Sequence, residues 1–186
     1  MAIIVLAVAV LLLLYVVVIY NRLVRLRALV REGWAGIDVQ LRRRADLVPN
    51  LVSTVKGYAS HERELLEAVT VHRNDAVAAN GVGATAQADA QLSGMLGRIF
   101  ALSEAYPDLK ADANFRQLQE ELADTEDELA GARRYYNATV RDLNTRIESF
   151  PDALIAGPFG FKAQEPYTET DAAARAAPQI AFAGKA

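Results

Sequence analysis

The chain contains no cysteine. That excludes disulfides, thiolate nucleophiles and cysteine-ligated metals, and it leaves the redox compartment unspecified. Histidine is almost as scarce, with only His61 and His72 among 186 residues. Strong net charge is lacking too. Twenty basic against 23 acidic side chains give a formal charge of −3, far from the basic balance of a nucleic-acid-binding domain, so no nucleic-acid partner is expected. Phosphate-binding glycine loops are missing, because "GVG" at 81–83 is not followed by Lys and Ser or Thr. No internal repeat and no convincing strand pattern occurs.

What is present begins with "AIIVLAVAVLLLLYVVVIY", residues 2–20, without a charged group. Nineteen helical residues reach about 28 Å, close to the hydrocarbon thickness of a bilayer. A cleaved signal peptide fits less well. No Lys or Arg precedes the run, the run is long, and no small-x-small site follows it. The expectation is a retained transmembrane helix with the lipid bilayer as its partner. Arg22, Arg25, Arg27 and Arg31 follow at once and, by the positive-inside rule, put the domain on the cytoplasmic side.

The pattern beyond the span is helical. Leu23, Leu26, Val30, Trp34, Ile37 and Leu41 recur in steps of three and four, so the first helix continues to about Arg44. "ADLVPN" reads as a turn, with Asp46 capping a second helix and Pro49 in its first turn. That helix covers residues 47–79, weakened at Gly57, with a local restart at Ser60. "NGVGA" is a loop at 80–84, and a third helix covers 85–105. "YPDLKADAN" breaks the chain at Pro107, and a fourth helix covers 114–150 until Pro151 ends it. The fold class is therefore all-α: an N-terminal transmembrane helix continuing into a long antiparallel helical bundle. Residues 1–20 form the anchor, 21–162 the bundle and 163–186 a flexible tail.

Reactive constellations are hard to assemble. "HERELLEAVTVH" is not the H-E-x-x-H zinc helix, since Leu65 stands where the second His is needed. Eleven residues apart on one helix, the two histidines lie about 16 Å apart and cannot share a metal. A histidine phosphotransfer module expects a lysine and a small residue beside its His, whereas His61 has Glu62, Arg63 and Glu64. No Ser-His-Asp set is specified. "QEELADTEDEL" reads as a solvated helix face rather than a metal site. "NAT" at Asn137 matches a glycosylation sequon but falls mid-helix. No catalytic residue, metal or cofactor is expected.

Two features carry an interaction reading. In "LRRRAD" the three arginines point around the helix, and local pairing with Asp38 and Asp46 is the simpler explanation. The sharper one is a buried network fixing bundle register, with Asp38, Arg42, Asp46 and Tyr136 as candidates. "SFPDALIAGPFGFK" is apolar but too short to cross a bilayer. It reads as a segment packed across the bundle end, or as a contact for a partner or the membrane surface through Leu154, Ile155, Phe159 and Phe161.

Taken together, "IDVQL", "DLVPNLV", "VKGY", "AYPDLK", "FRQLQEEL", "YYNATVRD" and "FPDALIAGPFGF" make the chain resemble the LemA family of bacterial membrane proteins over residues 20–162. Glu128 and Gly131 depart from the family's more usual basic and bulky residues. The resemblance implies a single-pass protein of the bacterial inner membrane with a long antiparallel helical domain; it does not imply an enzyme, and none is expected. Two functions follow as expectations. The first is an anchored structural or interaction protein that forms a homo-oligomer or recruits another membrane protein. The second is an anchored sensor or ligand-binding module with a polar pocket among Arg42, Asp46, Lys56, Tyr58 and Tyr136.

Overall fold

A computed structural model describes residues 1–168. Within them the chain forms α1 (Ala2–Tyr58), α2 (Arg63–Ala78), α3 (Val82–Ser103), α4 (Pro107–Ala111), α5 (Ala113–Glu148) and α6 (Ala153–Ala156). No strand occurs among the described residues. The class is the expected one: a long apolar N-terminal helix that runs on into an antiparallel bundle.

α1 is a single helix of 57 residues, about 85 Å long at 1.5 Å per residue. Its first part is apolar on every side and uncovered. The most apolar 18-residue window has a mean hydropathy of 3.4 and is 6% buried. A soluble core helix of that composition would be covered by its neighbours, so this one is long and apolar enough to cross a membrane and is exposed accordingly.

The turn expected at "ADLVPN" does not form: α1 runs through Pro49. A proline inside a helix leaves the carbonyl four residues earlier without its N–H partner. Here that carbonyl belongs to Ala45, and the Arg73 Nε–H of α2 donates to it at 3.1 Å. The chain reverses later, at 59–62, so residues 47–58 belong to α1 and α2 starts only at Arg63. His61 therefore lies in the turn and does not share a helix with His72. The next reversal is also tighter than expected. Gly81, at φ +86, is followed directly by α3 at Val82; a non-glycine residue there would be strained. "PDLKA" forms the short α4, and the Asp112 carboxylate then caps α5 by accepting from the Phe115 N–H at 2.9 Å.

The long helices alternate in direction. Residues 48–55 of α1 share an apolar cluster with 115–122 of α5, whereas residues 19–37 share another with 129–143. α1 and α5 are thus antiparallel. On α3, Ala86 belongs to the membrane-proximal cluster and Leu92, Leu96 and Ile99 to the distal one, so α3 runs alongside α1. The bundle has two cores stacked along its length. The proximal core also takes in Ile155, Ala156, Phe161 and Tyr167.

The C-terminal segment does not float free. After Gly160, at φ +73, residues 161–167 run extended along α5. Asn144 donates to the Gln164 carbonyl and accepts from its N–H, both at 2.8 Å. Asn137 does the same to Tyr167, at 2.9 and 2.8 Å. Seven helical residues and three extended ones both cover about 10 Å, so the two amides meet the strap in register. Residues 163–168, expected in the tail, are held by this clasp. The remainder of that tail lies outside the described residues.

Candidate functional site

Three helices, α1, α3 and α5, carry a charged residue at a position where the apolar stripe demands a hydrophobic one. On α1 the stripe Ile37–Leu41 and Val48–Leu51 is interrupted by Arg44. On α3 Asp89 sits between Ala86 and Leu92, and on α5 Glu126 and Arg133 flank Leu129. These residues meet where the two apolar cores adjoin. Arg44 is 6% and Asp89 2% exposed. Arg44 donates to Asp89 Oδ1 at 2.8 Å and pairs with Glu126 Oε2 at 2.7 Å. Arg133 pairs with Asp89 Oδ2, and with Glu126 Oε1 at 3.3 Å. Tyr167 closes the cluster from the strap: its hydroxyl donates to Asp89 Oδ2 at 2.9 Å, and the Arg133 guanidinium lies 5.1 Å from its ring centroid.

Two guanidiniums and two carboxylates balance in charge; Asp89 and the guanidiniums are largely buried, whereas the Glu126 side chain is 42% exposed and opens the cluster to solvent on one side. Burial, the largest single influence, opposes the charge on Arg133, but Asp89, Tyr167 and Glu126 together outweigh it and the pKa of the guanidinium is raised. The Tyr167 phenol is pushed up, first by burial and then by the Asp89 carboxylate. Neither group is poised to exchange protons near neutrality. The cluster joins three helices and the strap at one level.

The four residues expected to form a polar network are placed differently. Asp38 and Arg42 pair at 3.0 Å on the surface of α1. Asp46 faces Arg73 at 3.7 Å. Tyr136 stands apart, its ring tilted against Trp34 at 5.6 Å and its hydroxyl donating to the Glu165 carbonyl at 2.8 Å. The arginine of "LRRRAD" that is buried is the third, Arg44. Asp38, Arg42, Asp46 and Arg73 do line one open cleft of about 510 Å3, together with Trp34 and Thr85. Lys56 lines a separate shallow hollow, and Tyr58 donates to Asp112 at 2.9 Å. Among the described residues no group of three His, Asp or Glu side chains could hold a metal.

The apolar C-terminal candidates divide in two. Ile155 and Phe161 are buried in the proximal core, whereas Leu154 and Phe159 are exposed, as is Phe150. Glu128 and Gly131, the two departures from the family pattern, are accommodated. Glu128 accepts from Gln40 at 2.7 Å, and a side chain at Gly131 would meet only the tip of Arg134.

The model of the LemA family matches residues 33–182, most of the folded domain. The chain belongs to the LemA family. Among the curated relatives of this LemA-family chain is the magnetosome protein MamQ of Magnetospirillum gryphiswaldense, 25% identical over 82% of the chain and 66% of the relative. A protein LemA of Metamycoplasma hominis is 26% identical over 73% of the chain and 63% of that relative. The LemA-family chain thus spans just under two thirds of the length of these relatives. The family match, the relatives and the exposed apolar part of α1 mark it as a membrane-associated helical protein.

Proposed function

We propose that the protein is a single-pass, membrane-anchored structural and interaction protein, a rod that self-associates or recruits another membrane protein. The observation that carries this reading is the continuity of α1. From residue 21 to Tyr58 the helix extends about 57 Å beyond the apolar run without a joint, so the bundle stands at a fixed angle to its anchor. Among the described residues this rod presents long helical faces and no group of three His, Asp or Glu side chains that could hold a metal, which suits holding partners. Arg22, Arg25, Arg27 and Arg31 support a domain on the cytoplasmic side of a bacterial inner membrane. Light scattering of the full-length protein in mild detergent tests the self-association. A protein mass that is a multiple of 20.2 kDa is expected; a uniform mass of one chain across concentrations contradicts it.

A second reading, an anchored ligand-binding module, is favoured by one observation: the cleft lined by Asp38, Arg42, Asp46 and Arg73. Its alternating charges suit a small zwitterionic molecule. A screen of amino acids and short peptides by thermal shift, repeated on Arg42→Ala, checks it; no shift with any of them counts against it.

A further inference from the structure

The membrane-proximal end of the bundle carries an exposed apolar rim and a cationic cleft at one level. Tyr20 closes the apolar run of α1, and its ring lies 5.1 Å from Phe159 and 5.8 Å from Phe161. α6 and the turn after it are therefore packed beside the point where α1 leaves the span. The side chains around that point face outward: Phe150 is 82%, Leu154 66% and Phe159 55% exposed. In water such a patch is costly, whereas Phe and Leu side chains laid into the headgroup–acyl boundary bury that apolar area.

Two residues beyond Tyr20, Arg22 opens a cleft of about 610 Å3 between α1 and α5, lined also by Leu26, Arg141, Asp142 and Arg146. Neither Arg22 nor Arg141 makes an ion pair or hydrogen bond among the described residues, and Arg146 reaches Asp152 only at 3.4 Å. Three guanidiniums thus face a single lining carboxylate at headgroup depth. Guanidinium forks match phosphate oxygens in geometry as well as charge.

We propose that this end of the bundle is a second membrane contact: Phe150, Leu154 and Phe159 enter the interfacial layer beside Tyr20, and Arg22, Arg141 and Arg146 hold the phosphate of an anionic phospholipid. The proposal rests on α1 spanning the bilayer. It makes the rod a two-point attachment, with its tilt set by the lipid.

Because the chain has no cysteine, single spin labels test this on the full-length protein in nanodiscs. Labels at Leu154→Cys, at Leu12→Cys in the span and at Val77→Cys on α2 are compared by collision with oxygen and with a water-soluble nickel chelate. The expected result is a lipid-type signal at positions 154 and 12 and an aqueous one at 77. An aqueous signal at 154 with a lipid signal at 12 overturns the second contact and spares the anchor. An aqueous signal at 12 overturns both. A label at 154 shielded from both reagents means that a second copy covers the rim, and overturns the lipid contact. For the cleft, phosphatidylglycerol retained in detergent is counted by native mass spectrometry. R22Q/R141Q/R146Q is expected to retain about a hundredfold less, since each basic group near the surface contributes about fivefold, while the triple lysine variant retains it. Equal retention by the glutamine variant overturns the headgroup site, as does displacement of the lipid by inorganic phosphate.

Discussion

At the residue scale, Pro49 shows how a local signal is overruled from a distance. "ADLVPN" has the chemistry of a helix start, with an Asp to cap and a Pro for the first turn. The same residues sit inside α1 because Arg73, 28 residues away, donates to the Ala45 carbonyl that Pro49 leaves vacant. Arg73→Ala should therefore cost about 1–2 kcal/mol. In a Pro49→Ala background the new N–H serves Ala45 and the same change should cost much less. A double-mutant cycle by denaturant unfolding measures the difference; purely additive effects would refute the role given to Arg73. Asp89 is the most consequential single residue. Asp89→Ala leaves the buried Arg44 and Arg133 guanidiniums to share the single carboxylate of Glu126, and should destabilise by about 3–5 kcal/mol in the same assay. The glycines of α1 are a sharper contrast. A Cβ on Gly33 would lie 3.1 Å from the Tyr136 Cα, whereas one on Gly36 meets only the Ala132 Cβ at 3.9 Å. Gly33→Ala should lower the melting temperature by overpacking. Gly36→Ala should raise it through helix propensity, by about 0.5–1 kcal/mol in stability.

At the scale of elements, the strap is the part no periodicity announced. Its bonds come from Asn137 and Asn144, seven apart on α5, to backbone groups 20 and 30 residues on. Amide exchange should show Gln164 and Tyr167 protected, and Asn144→Ala should release Gln164 while leaving the distal core unchanged. Alkali tests the other end. The neutral Tyr167 phenol donates to Asp89, and its pKa is raised in the fold. Its contribution is therefore complete below the ordinary tyrosine value near 10. It is lost as pH rises through the higher folded value. Ultraviolet titration should show Tyr167 ionising after the exposed tyrosines, with loss of strap protection in step. The helices themselves were legible. Stripes such as Phe115–Leu118–Leu122 and Leu129–Tyr136–Val140 gave α5 almost to its ends, and "NGVGA" marked the reversal before α3. The charge cluster was legible in principle, because Arg44, Asp89, Glu126 and Arg133 each fall on an apolar stripe. It was hidden because a stripe says that a residue is buried and not which partner meets it.

At the scale of the whole molecule, the family and the all-helical architecture with its long apolar N-terminal helix were readable from "DLVPNLV", "AYPDLK" and "FPDALIAGPFGF" together with the apolar run. The continuity of the rod was not, because it depends on Arg73 and on the packing of α5 along the whole of α1. That continuity makes anchor and bundle one lever, and the proposed roles depend on it. The direct test is a spin-pair distance measurement across Pro49 in the full-length protein, with labels at Ala28→Cys and Ser53→Cys, both on the exposed side of α1. A continuous helix predicts one narrow distribution centred at about 38 Å between backbones. A broad distribution, or one shortened by a bend at Pro49, would contradict the rod and the function built on it.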